Sequence, residues 1–152
     1  MIAATSQRVP MHTCDDVNRQ IYESTQQRIA QYKNFSPEEI DQRLEELDQE
    51  WDTERLLETN AATLAFVGCV LAATTDRRWV FLPMAVTAFL FQHAVQGWCP
   101  PLPVIRRLGF RTMREIDDER IALKIIRGDF KQFASRDIQE MGVDTILLSV
   151  ER

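Results

Sequence analysis

Residues 60–101 read NAATLAFVGCVLAATTDRRWVFLPMAVTAFLFQHAVQGWCPP, two apolar runs parted by the charged turn Asp76-Arg77-Arg78. The first run, Ala61 to Thr75, carries no ionisable group except the Cys69 thiol. The second, Trp79 to Cys99, has only His93 and Cys99. Such a pattern is either a pair of membrane-spanning helices or the buried hairpin of a soluble all-α domain. The second run favours the membrane. Trp79 and Trp98 stand nineteen residues apart, about 28 Å of helix at 1.5 Å per residue. A hydrocarbon core is roughly 30 Å thick, with Trp enriched at both faces. Pro83 is tolerable in a first turn or a membrane helix, and Pro100, Pro101 and Pro103 stop the run. The first run is short, its fifteen residues giving about 22 Å. Leu56 and Leu57 would extend it, but Glu58 and Asn60 intervene. A short helix still spans where the bilayer thins or its flanks snorkel.

Working outward, Ser36-Pro37-Glu38-Glu39 reads as a helix start. Ser36 is the N-cap, Pro37 the first helical residue and Glu39 the partner of a capping box. Ile40, Leu44, Leu47 and Trp51 then follow at spacings of four, three and four, an apolar seam of two heptads. From Glu38 to Glu58 ten acids face only Arg43 and Arg55, a balance of −8. An anionic lipid surface repels such a helix, so the segment 36–58 is expected to pack on protein, its own or a partner's. Before it, a thinly amphipathic helix runs from Asp15 or Asp16 to Tyr32, with Val17, Ile21, Ile29 and Tyr32 on its apolar face. Residues 1–13 read as disordered or extended. After the apolar runs, Pro-Pro-Leu-Pro gives a rigid exit. Thr112 and Glu115 then offer a second capping box, and Gly128 a stop, for a helix over 113–127. Residues 143–150 are open between a short strand and a helical turn.

The expected fold is all-α. Acidic amphipathic cytoplasmic helices (1–58) precede a two-helix transmembrane hairpin (59–101), and one helix with a tail (102–152) follows. With 152 residues there is room for one domain. The net charge of −5 excludes a general nucleic-acid binder, which is normally basic. Cysteines at 14, 69 and 99 form no paired framework, in keeping with a reducing compartment or a membrane interior. The first twenty residues lack the apolar stretch of a signal peptide, so insertion would be signalled by the hairpin itself. The loop carries Arg77 and Arg78, whereas the flanks carry Arg43, Arg55, Arg106, Arg107, Arg111 and Arg114. That bias places both termini in the cytoplasm.

At Gly97-Trp98-Cys99-Pro100-Pro101, followed by Arg106-Arg107-Leu108-Gly109, the chain resembles the YgaP-like transmembrane domain family of small bacterial inner-membrane proteins. The resemblance covers about residues 55–110. It implies a two-helix hairpin in the bacterial inner membrane, self-association and a link to sulfur metabolism. Some members carry a rhodanese sulfurtransferase domain before the hairpin. Here residues 1–58 show no α/β pattern and no cysteine in an anion-cradling loop, so that activity does not carry over.

Several residues stand out as functional or packing positions: Cys99, His93, Gln96, Trp98, Arg106 and Arg107. The spacing of Cys99 and Arg106 suggests an anion-binding nucleophile loop. However, the intervening Pro-Pro-Leu-Pro-Val-Ile lacks the free N–H groups that such a loop needs. The remaining readings of Cys99 are a thiol activated by nearby arginines or a structural cysteine at a helix end. His93, with Gln92 and Gln96 close by, either hydrogen-bonds to the neighbouring helix or marks an ion path. Ala61, Ala65, Gly68 and Ala72 trace a ridge of small residues suited to close helix contact, in a homodimer or within the hairpin. His12 with Cys14 is too sparse for a metal site. No catalytic, cofactor or metal constellation is expected, and no enzyme. The functional expectation is a membrane-anchored module that dimerises or binds a partner. The alternatives are a small permease or channel subunit for a sulfur-containing anion and a soluble helical interaction module.

Overall fold

The computed structural model describes residues 4–131. Among these residues the chain is all-helical, with no strand. Its helices are α1 (Asp15–Tyr32), α2 (Pro37–Gln49), α3 (Thr53–Thr74), α4 (Phe81–Gln96), α5 (Leu102–Arg107) and α6 (Met113–Arg127), with 3-10 turns at Pro10–His12 and Arg77–Val80. The stretch 143–150 lies outside the described residues. Two compact units interleave along the chain, one built from 4–24 and 50–116, the other from 25–49 and 117–131. The boundary expected at 58 falls inside α3, which runs Thr53–Thr74.

In the first unit, Asp52 is the N-cap of α3, its carboxylate accepting the Arg55 N–H at 2.6 Å. The helix then continues for 22 residues, about 33 Å, straight through Glu58 and Asn60. Neither breaks it. Glu58 is exposed, and Asn60 turns its amide back onto the Leu56 carbonyl at 2.9 Å. The first apolar helix is therefore the longer of the two. The second is shorter than the tryptophan interval suggested: α4 has 16 residues, about 24 Å. Trp79 sits in the preceding 3-10 turn, where Asp76 accepts the Arg78 N–H at 2.8 Å, and Trp98 lies beyond the helix end. The two indoles do not bracket a single helix.

The helices α3 and α4 lie side by side and run in opposite directions. Gly68 meets Pro83 and Leu82 at one end, and Glu54 meets His93 at the other. A Cβ at Gly68 would stand 2.5 Å from Cδ of Pro83. The ridge is thus used within the chain. Gly68 is buried against α4, and Ala61, Ala65 and Ala72 on the same ridge are half-buried. The outward faces are apolar and open: Leu64, Phe66, Val67 and Val70 on α3, with Phe81, Met84, Phe89, Phe91 and Val95 on the other. Counted with the 3-10 turn that runs into it, the second stretch is 20 residues, Arg77–Gln96, and both stretches are long and apolar enough to cross a membrane, with only 17% and 11% of their most apolar windows buried inside the chain.

Near the Glu54–His93 end, Val9, Leu57, Cys99, Leu102 and Ile105 form a core flanked by Leu56 and Phe110. Full burial of such side chains contributes about 1.5–3 kcal/mol each. Val9 belongs to this core, so the expectation of a disordered start is corrected for residues 4–13, which form turns ending in the Pro10–His12 3-10 helix. One helix was expected after the apolar pair, and two follow, α5 and α6. Pro101 and Pro103 stand where a helix start needs no N–H donor, and α5 follows.

In the second unit the Ser36 box forms as expected: Glu39 accepts the Ser36 N–H at 2.8 Å and Ser36 accepts the Glu39 N–H at 3.3 Å. Ile40, Leu44 and Leu47 are buried. The helix stops at Gln49, so the continuous helix expected over 36–58 is two helices. Trp51 leaves the seam for an exposed site, where the Arg55 guanidinium lies over its ring at 4.5 Å. The seam residues Ile40, Leu44 and Leu47 are thus packed within the chain itself. The acids of α2 meet bases of α6: Asp48 pairs with Arg120 at 2.7 Å and Asp41 with Arg127. Arg43 at 3.0 Å and Arg28 at 3.1 Å converge on Glu119, which is fully buried.

The Gly68 contact gives a direct test of the helix pair. Gly68→Ala should destabilise it by about 1–3 kcal/mol through overpacking against Pro83, whereas Ala62→Leu, at an exposed position, should change stability little. Denaturation of the detergent-solubilised protein measures both.

Candidate functional site: buried polar groups where the helix pair ends

The first turn of α3 places Glu54 opposite the last turns of α4. The Nε2–H of His93 donates to Glu54 Oε2 at 2.9 Å, and Arg8 Nη2 donates to Oε1 at 3.1 Å. Arg8 also donates through Nη1 to the Ala94 carbonyl at 2.8 Å. Its backbone closes on the end of α4 as well. Gly97 takes φ +86°, and a Cβ there would stand 2.5 Å from the Arg8 carbonyl oxygen. Only glycine satisfies both conditions. Cys99 follows two residues later and is 3% exposed, and the His93 ring is 2% exposed with its Nδ1 buried.

A second set of buried polar groups is centred on Arg106, 1% exposed. Its Nη groups hold both oxygens of Glu115, at 2.7 and 2.8 Å, and also reach the Phe110 carbonyl at 2.9 Å and Asn18 at 3.0 Å. Its Nε–H donates to the Thr13 hydroxyl at 3.2 Å. Glu115 is held in turn by the Thr112 N–H at 2.8 Å, one half of the expected capping box; the other is the Glu115 N–H on Thr112 Oγ1 at 3.3 Å. Burial alone would raise the Glu115 carboxyl. The hydrogen bonds from Arg106 and Thr112 outweigh it and hold the group below its ordinary 4.5. Arg111 is likewise buried and grips Glu50 with two bonds, at 2.8 and 2.7 Å. Thr53 accompanies it, its N–H donating to the Arg111 carbonyl at 2.8 Å.

Of the positions singled out from sequence, His93, Cys99 and Arg106 are buried. Gln96 and Arg107 are exposed, and Trp98 is half-buried. Arg106 is committed to Glu115, Thr13 and Asn18, and Arg111 to Glu50. Of the ridge residues, Gly68 packs against Pro83 and Leu82 of α4, and Ala61, Ala65 and Ala72 are half-buried. His12 bonds the Arg8 carbonyl through Nδ1 at 2.8 Å. Sequence reasoning missed Arg8, Glu54, Thr13, Asn18 and Glu115 as partners. For Glu54 a signal was present: Asp52-Thr53-Glu54-Arg55 is a competent helix start, which puts this acid in the first turn of the apolar helix.

No family model matches the chain, and neither the curated proteins nor the solved structures contain a match.

Removing the Arg106 guanidinium strands a largely buried carboxylate. Arg106→Met should cost about 3–5 kcal/mol, measured as loss of stability in a denaturant titration of the full chain. A pH series separates the carboxylate's share. A group with a lowered folded pKa stabilises above its unfolded value, and that stabilisation fades as pH falls through the folded pKa. The stability advantage of wild type over Glu115→Gln should therefore be complete above pH 4.5 and shrink progressively below it, as followed by thermal midpoints.

Proposed function

We propose that the chain is a bacterial inner-membrane anchor whose α3–α4 pair crosses the bilayer as a hairpin and carries the flanking helices on the cytoplasmic side. One observation carries this reading: the outward faces of both helices are apolar along their length, with Phe66 71% and Phe91 72% exposed. Soluble monomers rarely expose contiguous apolar patches above a few hundred Å². The polar groups on these faces support it as well. The hydroxyls of Thr63, Thr74 and Thr87 bond carbonyls of their own helices, to Thr59, Val70 and Pro83, at 2.7–2.8 Å. Side chains satisfied in this way ask nothing of a solvent that has no donors. The arginine bias and the Gly-Trp-Cys-Pro-Pro resemblance support the orientation and the compartment. The module anchors and binds rather than catalyses. With the small-residue ridge occupied by α4, self-association uses the outward faces.

The wild-type chain should sediment with membranes and resist carbonate extraction. Recovery in the soluble fraction without detergent would overturn the reading. An otherwise cysteine-free variant with a cysteine at 114 should resist impermeant reagent in intact cells, while one at 77 should label.

A further inference from the structure

The chain has three tryptophans, and the fold sets all of them at the ends of the helix pair. Trp51 stands two residues before α3 and Trp98 two residues after α4, while Trp79 lies in the turn between the helices. Indoles collect at headgroup level, where one edge is apolar and the other wet. That turn and α4 together rise about 32 Å, close to the roughly 30 Å of a hydrocarbon core. Beside the Trp98 end lies α5, whose two faces differ from those of a water-facing helix. Its inner face is Leu102, Ile105 and Arg106, all buried, the first two in the core that holds Leu57 of α3. Opposite them, at helical spacing, stand Val104 at 59% exposure, Leu108 at 70% and the exposed Arg107. Unlike Arg106 and Arg111, Arg107 has no hydrogen bond or ion pair among the described residues. A helix in water keeps a polar outer face, whereas this one turns two aliphatic chains outward.

We propose that the outer face of α5 is a lipid-contact surface seated in the headgroup layer of the cytoplasmic leaflet, with Val104 and Leu108 against acyl chains and the Arg107 guanidinium donating to a phospholipid phosphate. The inference rests on the membrane reading and adds to it what fixes the depth of the helix pair. Two observations name lipid as the occupant. The first is continuity: Val95, 42% exposed in the last turn of α4, and half-buried Trp98 lead from the outward apolar face to α5, with only residues 97–101 between the two helices. The second is size. A stable protein partner needs about 800 Å² on each side, far more than two aliphatic side chains and a guanidinium offer. A bilayer that already grips the helix pair asks for no such area, and the guanidinium fork matches phosphate oxygens. Exposed Glu58 follows Leu57 at the same end of α3 and repels a net-anionic headgroup, so the contact is with the phosphate that all phospholipids share.

The test places single nitroxide labels, through Val104→Cys or Leu108→Cys, in the full chain reconstituted into phosphatidylcholine vesicles. The exposed Cys14 and Cys69 are changed to serine, and the buried Cys99 stays in place. A label through Phe66→Cys reports the outward face of α3, and one through Tyr22→Cys, at a site 64% exposed on α1, calibrates the signal in water. Collisions with oxygen mark immersion, and collisions with a soluble nickel chelate mark water. The labels at 66, 104 and 108 should favour oxygen. Arg107→Glu should shift 108 toward nickel and leave 66 unchanged. Nickel-favouring signals at 104 and 108 beside an oxygen-favouring 66 would overturn the proposal and leave the membrane anchor standing, whereas a nickel-favouring 66 would overturn both. An unshifted 108 in Arg107→Glu would refute the phosphate contact.

Discussion

A guanidinium has five N–H donors and no acceptor, and Arg106 uses all five inside the protein, on Thr13, Asn18, Phe110 and both oxygens of Glu115. Burying such a charge is costly unless every donor is met. The four partners therefore have to arrive together. Residues 13 and 18 come from the start of the chain, 110 and 115 from beyond the apolar helices, and the arginine itself from α5. One side chain thus fixes how the polar flanks close around the base of the helix pair. Glu119 poses the converse problem in the other unit, a buried carboxylate met by Arg28 and Arg43.

The helix pair obeys a different constraint. Its inner face follows ordinary packing rules, with Gly68 admitting Pro83 closely enough that no larger residue fits. Its outer face is large, aromatic and uncovered, while the polar atoms there are turned back onto the helix backbone. The charged and buried polar groups gather at the ends: Asp76, Arg77 and Arg78 at one, Arg8, Glu54 and His93 at the other. A chain with apolar sides and polar ends suits a medium that changes from hydrocarbon to water along one direction, and the proposed anchoring role rests on that match.

Local chemistry was legible in the sequence. The Ser36–Glu39 and Thr112–Glu115 capping boxes and the Gly128 stop depend on residues within a few positions of one another, and α6 runs Met113–Arg127 as the signals indicated. Boundaries that hinge on weak polar residues were not. Glu58 and Asn60 looked like interruptions because their polarity was weighed without the Asn60 bond to Leu56 that lets the helix absorb it. Trp51 fitted the seam by spacing, yet Asp52 caps a new helix one residue later. The site was the least legible part. His93 is recognisable as needing a partner, but Glu54 lies 39 residues away and by sequence is one more acid in a charged segment.

The clasp of Arg8 on the end of α4 has a consequence for synthesis. Its bond to the Ala94 carbonyl joins residues 86 positions apart. At roughly 5–20 residues per second of translation, the early partner waits some seconds before the late one exists. Through that interval Arg8 and Glu54 have no histidine between them, and Val9 has no core to enter. The polar end of the helix pair therefore closes only after α4 has been made, and the Arg106 cluster, which needs Glu115, closes later still. Completion of the polar end reports that both apolar helices have already left the ribosome and found each other.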